Sequence, residues 1–219
     1  MICNKNGTPG QVSIPIAAGQ KIRMQWDNWP VTHHGPMSSY LANCQGPCET
    51  VNKKTLKFFK IDQVGLINTT KVVRDGEGYA PYLYSGTWGS DVMIGHGYTW
   101  DVIIPLDIKS GNYVLRHETI ALHQVTQPGL IAQVYPSCWN LIVKGNGTAI
   151  PSGISATKFY TANEPAMRFD IYNGTIEVNP RLPRYPLPGP QMYKGAVEAI
   201  QTPPAAPTAE VTGIRSSKK

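Results

Sequence analysis

His123, Gln133 and Tyr135 fall within one short stretch, and all three are side-chain types that can move a proton or hold a metal. In an extended strand residues two apart share a face, so Gln133 and Tyr135 project together about 6 to 7 Å apart, while Cys138 falls on the other side. A further candidate lies upstream. In Trp29-Pro30-Val31-Thr32-His33-His34-Gly35-Pro36, two prolines and a glycine restrict the backbone around adjacent histidines, a setting that can hold an imidazole rigidly. Imidazole nitrogens in a tetragonal arrangement suit Cu(II), and a phenol oxygen can sit as a weak axial neighbour. His33 as the in-plane ligand and Tyr135 as the axial one fit that chemistry, with His123 and Gln133 placed to position and protonate bound oxygen.

Other titratable groups fit less well. His117 shares the parity of His123, but six residues of strand put them about 20 Å apart. They cannot serve one site, so His117 is read as a strand residue with a structural partner. Paired carboxylates cleave glycosidic bonds, yet Glu118 lies mid-strand between Arg116 and Ile120 and no second acid has matching spacing. Hydrolysis is therefore set aside. A serine nucleophile elbow, a P-loop and a dinucleotide fingerprint are absent from the sequence.

The elements that must position these residues read as strands. Apolar and polar residues alternate over 114–122 and 139–143, the pattern of half-buried antiparallel strands, with Gln127-Pro128-Gly129 as the turn between them. Similar runs occupy 21–26, 58–65, 98–105 and 169–172. The Gly-, Tyr- and Pro-rich stretch from Thr69 to Trp88 reads as a long ordered loop, and nothing supports a helix beyond a turn or two. With 19 prolines, 21 glycines and 16% charged residues in 219, the chain predicts one all-β, loop-rich sandwich domain over residues 1–195. Residues 196–219, rich in Pro, Ala and Thr, read as a linker or frayed tail.

No stretch is long and apolar enough to span a bilayer, and Met1-Ile2-Cys3-Asn4-Lys5 has neither the basic nor the apolar region of a signal peptide. The four cysteines favour two disulfides over a zinc knuckle, because only Cys44 and Cys48 form a close-spaced pair. Sequons at Asn6, Asn68, Asn146 and Asn173 point to the same oxidising, secretory compartment. The net charge is +6, but the basic residues are scattered and part of the excess sits in the last five residues. The one cluster, Lys53 to Lys60, reads as a solvated loop running into an edge strand. A monomer without a nucleic-acid or membrane partner is expected.

Several segments, in order, carry a resemblance: Gln25-Trp26-Asp27-Asn28-Trp29-Pro30, His33-His34-Gly35-Pro36 before Tyr40, 111–118 running into 120–123, Ala132-Gln133-Val134-Tyr135-Pro136 with Cys138, Pro151-Ser152-Gly153, and Pro188-Gly189-Pro190. They span residues 2 to about 193, and the chain resembles the fungal copper-dependent lytic polysaccharide monooxygenases of auxiliary activity family nine, formerly family sixty-one glycoside hydrolases. The resemblance implies an immunoglobulin-like antiparallel β-sandwich with a planar active face. It implies one copper ion, with His33 as the side-chain arm of a histidine brace, Tyr135 as the axial tyrosine, and His123 and Gln133 as the pair that hydrogen-bonds oxygen species. Tyr193 is similar to an aromatic of the cellulose-binding face, and Cys3 with Cys138 and Cys44 with Cys48 match the family's disulfides. The implied reaction is oxidative cleavage of β-1,4-glucan with an external electron donor and oxygen or peroxide, outside the cell.

One departure matters. Family members begin, after leader removal, with a histidine whose amino group and ring both bind copper, a few dozen residues before the segment equivalent to Ile2-Cys3. The sequence thus resembles a family member without its first strand, and the 219-residue polypeptide is expected to bind copper weakly and to be inactive as written. The alternative is a non-catalytic sandwich that binds polysaccharide or copper alone.

Overall fold

The computed structural model describes residues 1–5, 7–73, 83–172 and 184–203. Nine strands and one short helix are described: β1 (Ser13–Ala17), β2 (Lys21–Gln25), β3 (Met37–Asn43), β4 (Phe59–Val64), β5 (Leu66–Val73), β6 (Leu83–Trp88), α1 (Gly89–Gly95), β7 (Thr99–Ile103), β8 (Gly111–Ala121) and β9 (Gln133–Lys144). The larger sheet runs β1-β9-β8-β3-β4, and it faces the pair β2-β7 across the main core. Met24 and Trp100 from the small sheet meet Met37, Leu41, Leu115 and Leu141 from the large one. This is the expected β-sandwich.

Three features differ from the sequence reading. First, β1 pairs with β9 in parallel, not antiparallel. The alternation of β1 is interrupted by Pro15, which hides it as a strand and suits the sheet edge it occupies, where a missing N–H donor is tolerated. Second, β8 is not half-buried, since every residue from Tyr113 to Ala121 is buried. Its odd-numbered side chains enter the inter-sheet core, while Val114 and Ile120 pack outward against clusters that include Phe159 in one case and Met167 and Tyr185 in the other. The chain after β9 thus acts as a third layer. Third, the stretch from Thr69 to Trp88, expected as loop, supplies most of β5 and all of β6, which pair antiparallel, whereas Phe169 to Tyr172, expected as a strand, forms none and places Phe169 and Ile171 in the apolar cluster that holds Trp88.

Both disulfides form with the partners implied by the resemblance, Cys3–Cys138 and Cys44–Cys48. Among the lysines of the basic cluster, Lys54 and Lys57 are exposed, but Lys60 is buried. It turns over the Tyr40 ring and donates to the Pro188 carbonyl at 2.7 Å and to Gln63 Oε1 at 3.0 Å. Burial lowers its pKa to about 8. The packed chain also continues past 195. Gln201 accepts from the Asp101 N–H and donates to the Asp101 carbonyl (2.8 and 3.0 Å), capping the free edge of β7 much as another strand would. Residues 204–219 of the expected tail, and the sequons at Asn6 and Asn173, lie outside the described residues. Asn68 and Asn146 are both exposed.

Candidate metal centre

The loop between β2 and β3 carries His33 to the ends of β8 and β9, and its last residues explain how. His34 and Pro36 extend β3 alongside β8: Leu122 N donates to His34 O at 2.9 Å and Ile120 N to Pro36 O at 3.2 Å. Between them Gly35 lies so close to the strand that a Cβ there would sit 1.6 Å from the Ile120 carbonyl oxygen. On its other side Gly35 exchanges hydrogen bonds with Ser90, its N–H donating to the hydroxyl and its carbonyl accepting from the Ser90 N–H. This register sets residue 33 beside residue 123.

The His33 and His123 rings are stacked, with centroids 3.7 Å apart and planes 26° from parallel. Tyr135 lies 6.4 Å from His33, centroid to centroid. It sits on β9 opposite Thr119, and Gln133 sits opposite Ala121, so both share one face while Cys138, opposite Arg116, belongs to the other. The Tyr135 hydroxyl donates to Gln133 Oε1, and Gln133 Nε2 to Gln124 Oε1, each at 2.5 Å. Tyr135 is 38% exposed, beside the open turn of Pro128, Gly129 and Leu130. The four residues expected to do chemistry are therefore brought together.

His34 points the other way and is buried, its Nδ1 2.8 Å from Asp91 Oδ1 on α1. Tyr193 is not brought to the group. Its hydroxyl donates to Asp107 Oδ2 at 2.6 Å, its ring packs edge-on against Phe59, and its N–H binds the Lys60 carbonyl. Phe59 pairs with Leu41, which pairs with Leu115, whereas Tyr135 pairs with Thr119. Four residues of strand place Tyr193 roughly 13 Å or more from the His33 cluster along the sheet, so it makes no contact with that group. Its position only three residues after Pro190 gave no sign of this, because the isolated bridge from Lys60 to Met192 turns that segment along β4.

Sequence reasoning assigned no role to Trp29 or Thr32. Trp29 is 5% exposed and donates from Nε1 to the His33 carbonyl at 2.9 Å. Its ring meets Tyr135 and His33 edge-on, with centroids 5.0 and 5.5 Å away. Thr32 Oγ1 lies 3.1 Å from His33 Nδ1, which directs the other ring nitrogen, Nε2, to any cation. The run Trp29-Pro30 ahead of the histidines was the available signal.

Burial, and then the neighbouring His34, lowers the His33 pKa. Burial, with His33 and His34, takes His123 down to about 4. His123 is therefore neutral near pH 6, and the His33 shift runs in the same direction, toward the neutral ring that a metal ligand needs. A base whose folded pKa is depressed adds stability above its unfolded pKa and loses it as pH falls through the folded value. His123, together with the buried His117 at about 3, accordingly weakens the fold from about pH 6.5 downward. Asp62, raised by burial to about 7, acts in the opposite sense. Because two groups oppose one, the melting temperature of the metal-free chain is expected to fall between pH 6.5 and 4. Scanning calorimetry across that range checks this.

A phenol, two imidazoles and an amide thus meet where β8 ends and β9 begins, on an immunoglobulin-like sandwich. The comparisons give the class, the oxidative polysaccharide-cleaving enzymes. Residues 1–180 match AA9, Auxiliary Activity family 9 (formerly GH61), and the chain belongs to this family of lytic polysaccharide monooxygenases. It is 50% identical over 214 residues to the AA9 family lytic polysaccharide monooxygenase I of Botryotinia fuckeliana, covering 98% of this chain and 72% of that protein. It is 45% identical over 195 residues to monooxygenase A of Penicillium parvum, covering 89% and 70%. The solved extended catalytic domain of H. jecorina LPMO9A superposes with a TM-score of 0.79 at 42% identity, over 95% of this chain and 75% of that one. Family members are oxidoreductases, generally copper-dependent.

Proposed function

We propose that this chain forms the sandwich of a secreted, monomeric, copper-dependent monooxygenase that cleaves β-1,4-glucan, using an external electron donor and oxygen or peroxide. The observation that supports this most is the meeting of His33, His123, Gln133 and Tyr135 on one rim. The donors fit copper in part. His33, with Nδ1 beside Thr32, would hold the ion through Nε2, and the Tyr135 phenol would supply an oxygen beside it. His123 does not join them, since ring-nitrogen lone pairs lie in the ring plane and two stacked rings cannot aim them at one point. Among the described residues no group of three or more His, Cys, Asp or Glu side chains converges.

Copper, when bound, supplies one-electron chemistry toward oxygen or peroxide. The chain's own residues do the rest. His123, neutral above about pH 4, offers a ring nitrogen beside His33 to share or accept a proton. Gln133 holds the Tyr135 hydroxyl through Oε1, and Gln124 in turn fixes the Gln133 amide. Trp29 closes the buried side of the centre to water. Asn68 and Asn146, exposed in this fold, are the described positions for N-linked glycans.

With one imidazole and one phenol, the 219-residue polypeptide is expected to hold Cu(II) weakly and to release no oxidised oligosaccharides from phosphoric-acid-swollen cellulose with ascorbate. The sandwich preceded by a histidine-led amino terminus is expected to release them. In a calorimetric titration, His33→Ala removes the specific Cu(II) site altogether. Tight, stoichiometric binding by the 219-residue chain overturns the weak-site reading, and binding indifferent to His33→Ala overturns the site itself. The non-catalytic alternative predicts cellulose retention without oxidised products even for the histidine-led form.

A further inference from the structure

His117 lies mid-β8, wholly buried, and touches none of the residues assigned to the copper centre. Its ring is nonetheless fixed at both nitrogens. Nδ1 lies 2.9 Å from Ser39 Oγ on β3, and Nε2 faces the Trp26 indole N–H at 3.3 Å. An indole nitrogen can only donate. Nε2 must therefore be the bare acceptor, and the single proton of the neutral ring resides on Nδ1, directed at Ser39. Behind it Trp100 stacks at 6.5 Å, its own indole N–H held by Asp62 Oδ2 at 2.7 Å, so the imidazole cannot turn away.

What His117 holds is the entrance of the loop that carries His33. Trp26 follows the last residue of β2, and its backbone N–H donates to the Tyr98 carbonyl at 2.8 Å. Its ring meets Trp29 edge-on at 5.5 Å, and Trp29 in turn binds the His33 carbonyl and packs against both His33 and Tyr135. We propose that His117 is a positioning residue of the copper centre, which through Trp26 and Trp29 fixes where the His33 imidazole and the Tyr135 phenol stand relative to each other. The role rests on the copper reading for its purpose, but its geometry does not. A buried aromatic pair alone would leave Trp26 able to tilt about its apolar contacts. A directional acceptor at Nε2 removes that freedom.

The test uses the full 219-residue chain, copper-free and then titrated with Cu(II). His117→Leu removes the acceptor and keeps bulk, whereas His117→Gln keeps an acceptor oxygen for Trp26 and an amide donor for Ser39. Hydrogen exchange of the Trp29 indole N–H, read by nitrogen-resolved NMR, is expected to speed up about tenfold or more in His117→Leu while β3 and β8 amides stay protected. Cu(II) affinity falls on the order of tenfold. His117→Gln restores both toward the parent values. Unchanged Trp29 exchange in a folded His117→Leu chain overturns the proposal, as does a folded His117→Gln chain that behaves like the Leu variant. Should His117→Leu fail to fold, Trp26→Phe, which keeps the ring but lacks the N–H, replaces it with the same expected and overturning results. Cu(II) binding by the parent chain that is indifferent to His33→Ala, while the exchange responds as expected, would refute the copper reading and leave the positioning of Trp29 intact.

Discussion

Gly35→Ala is expected to cost about 4 kcal/mol or more of folding stability, among the largest losses a single methyl group can cause. The added Cβ would fall 1.6 Å from the Ile120 carbonyl oxygen and 2.8 Å from its carbon, and both belong to backbone that cannot swing aside. Either the pairing of His34 and Pro36 with β8 opens, or the end of β8 moves; both separate His33 from His123. Urea unfolding should show a lower midpoint, and the melting temperature should drop by roughly 10 °C or more for a chain of this size. Loss of copper binding should accompany it. A variant with parental stability would mean that the extension of β3 is not needed for the site. The adjacent His34→Gln provides a control, since it alters the α1 contact without touching the backbone pairing.

Removing either partner of the buried pair Arg116 and Glu118 is expected to cost about 3–5 kcal/mol, because the other charge is left without compensation. Arg116 Nη1 lies 2.6 Å from Glu118 Oε2, and the two side chains are 1% and 0% exposed. Glu118 also accepts from the Tyr160 hydroxyl, and Arg116 Nε donates to the Ile2 carbonyl at 2.7 Å. Burial, together with the Glu118 charge, holds the Tyr40 and Tyr160 hydroxyls well above their usual pKa. Glu118→Leu and Arg116→Met should each lower the urea midpoint strongly, and the double variant Arg116→Met/Glu118→Leu should lose far less than the two combined. Full additivity in that cycle would show that the charges do not stabilise one another. The same geometry removes Glu118 from chemistry, since a carboxylate sealed behind Arg116 and Tyr160 cannot reach a glycosidic oxygen.

The parts of the site legible in the sequence are those that depend on local parity or on motif. Gln133 and Tyr135 share a face because they are two apart on a strand, and His33 was marked by the prolines around it. The parts that were not legible depend on contacts between distant segments. Trp26, which packs on Trp29, donates to His117, 91 positions on, and no window of sequence contains both ends. The alternation that suggested a half-buried β8 was misleading for a physical reason. Arg116 and Glu118 read as solvent-facing, but they neutralise each other under the layer formed by the chain after β9. Lys60 was misread in the same way, since its long stem lies over Tyr40 and its charge is met by a carbonyl. Tyr193 matched a motif in spacing, and the bridge from Met192 to β4 sets it against Phe59 and Asp107, along the sheet from the His33 group.

The parallel pairing of β1 with β9 and the Cys3–Cys138 bond join the two extremes of the sandwich, the latter across 135 residues. During synthesis, therefore, the large sheet cannot be completed until β9 has left the ribosome, and β1 and Cys3 must wait for it. Such distant pairings fold slowly. The covalent tie, once made, removes about 5 kcal/mol of chain entropy from the unfolded state. Cys44 and Cys48, only four residues apart, can meet first. A wrong early bond from Cys3 to either of them would trap β1 away from its berth, so a thiol-exchange catalyst should raise the yield of the native chain on oxidative refolding.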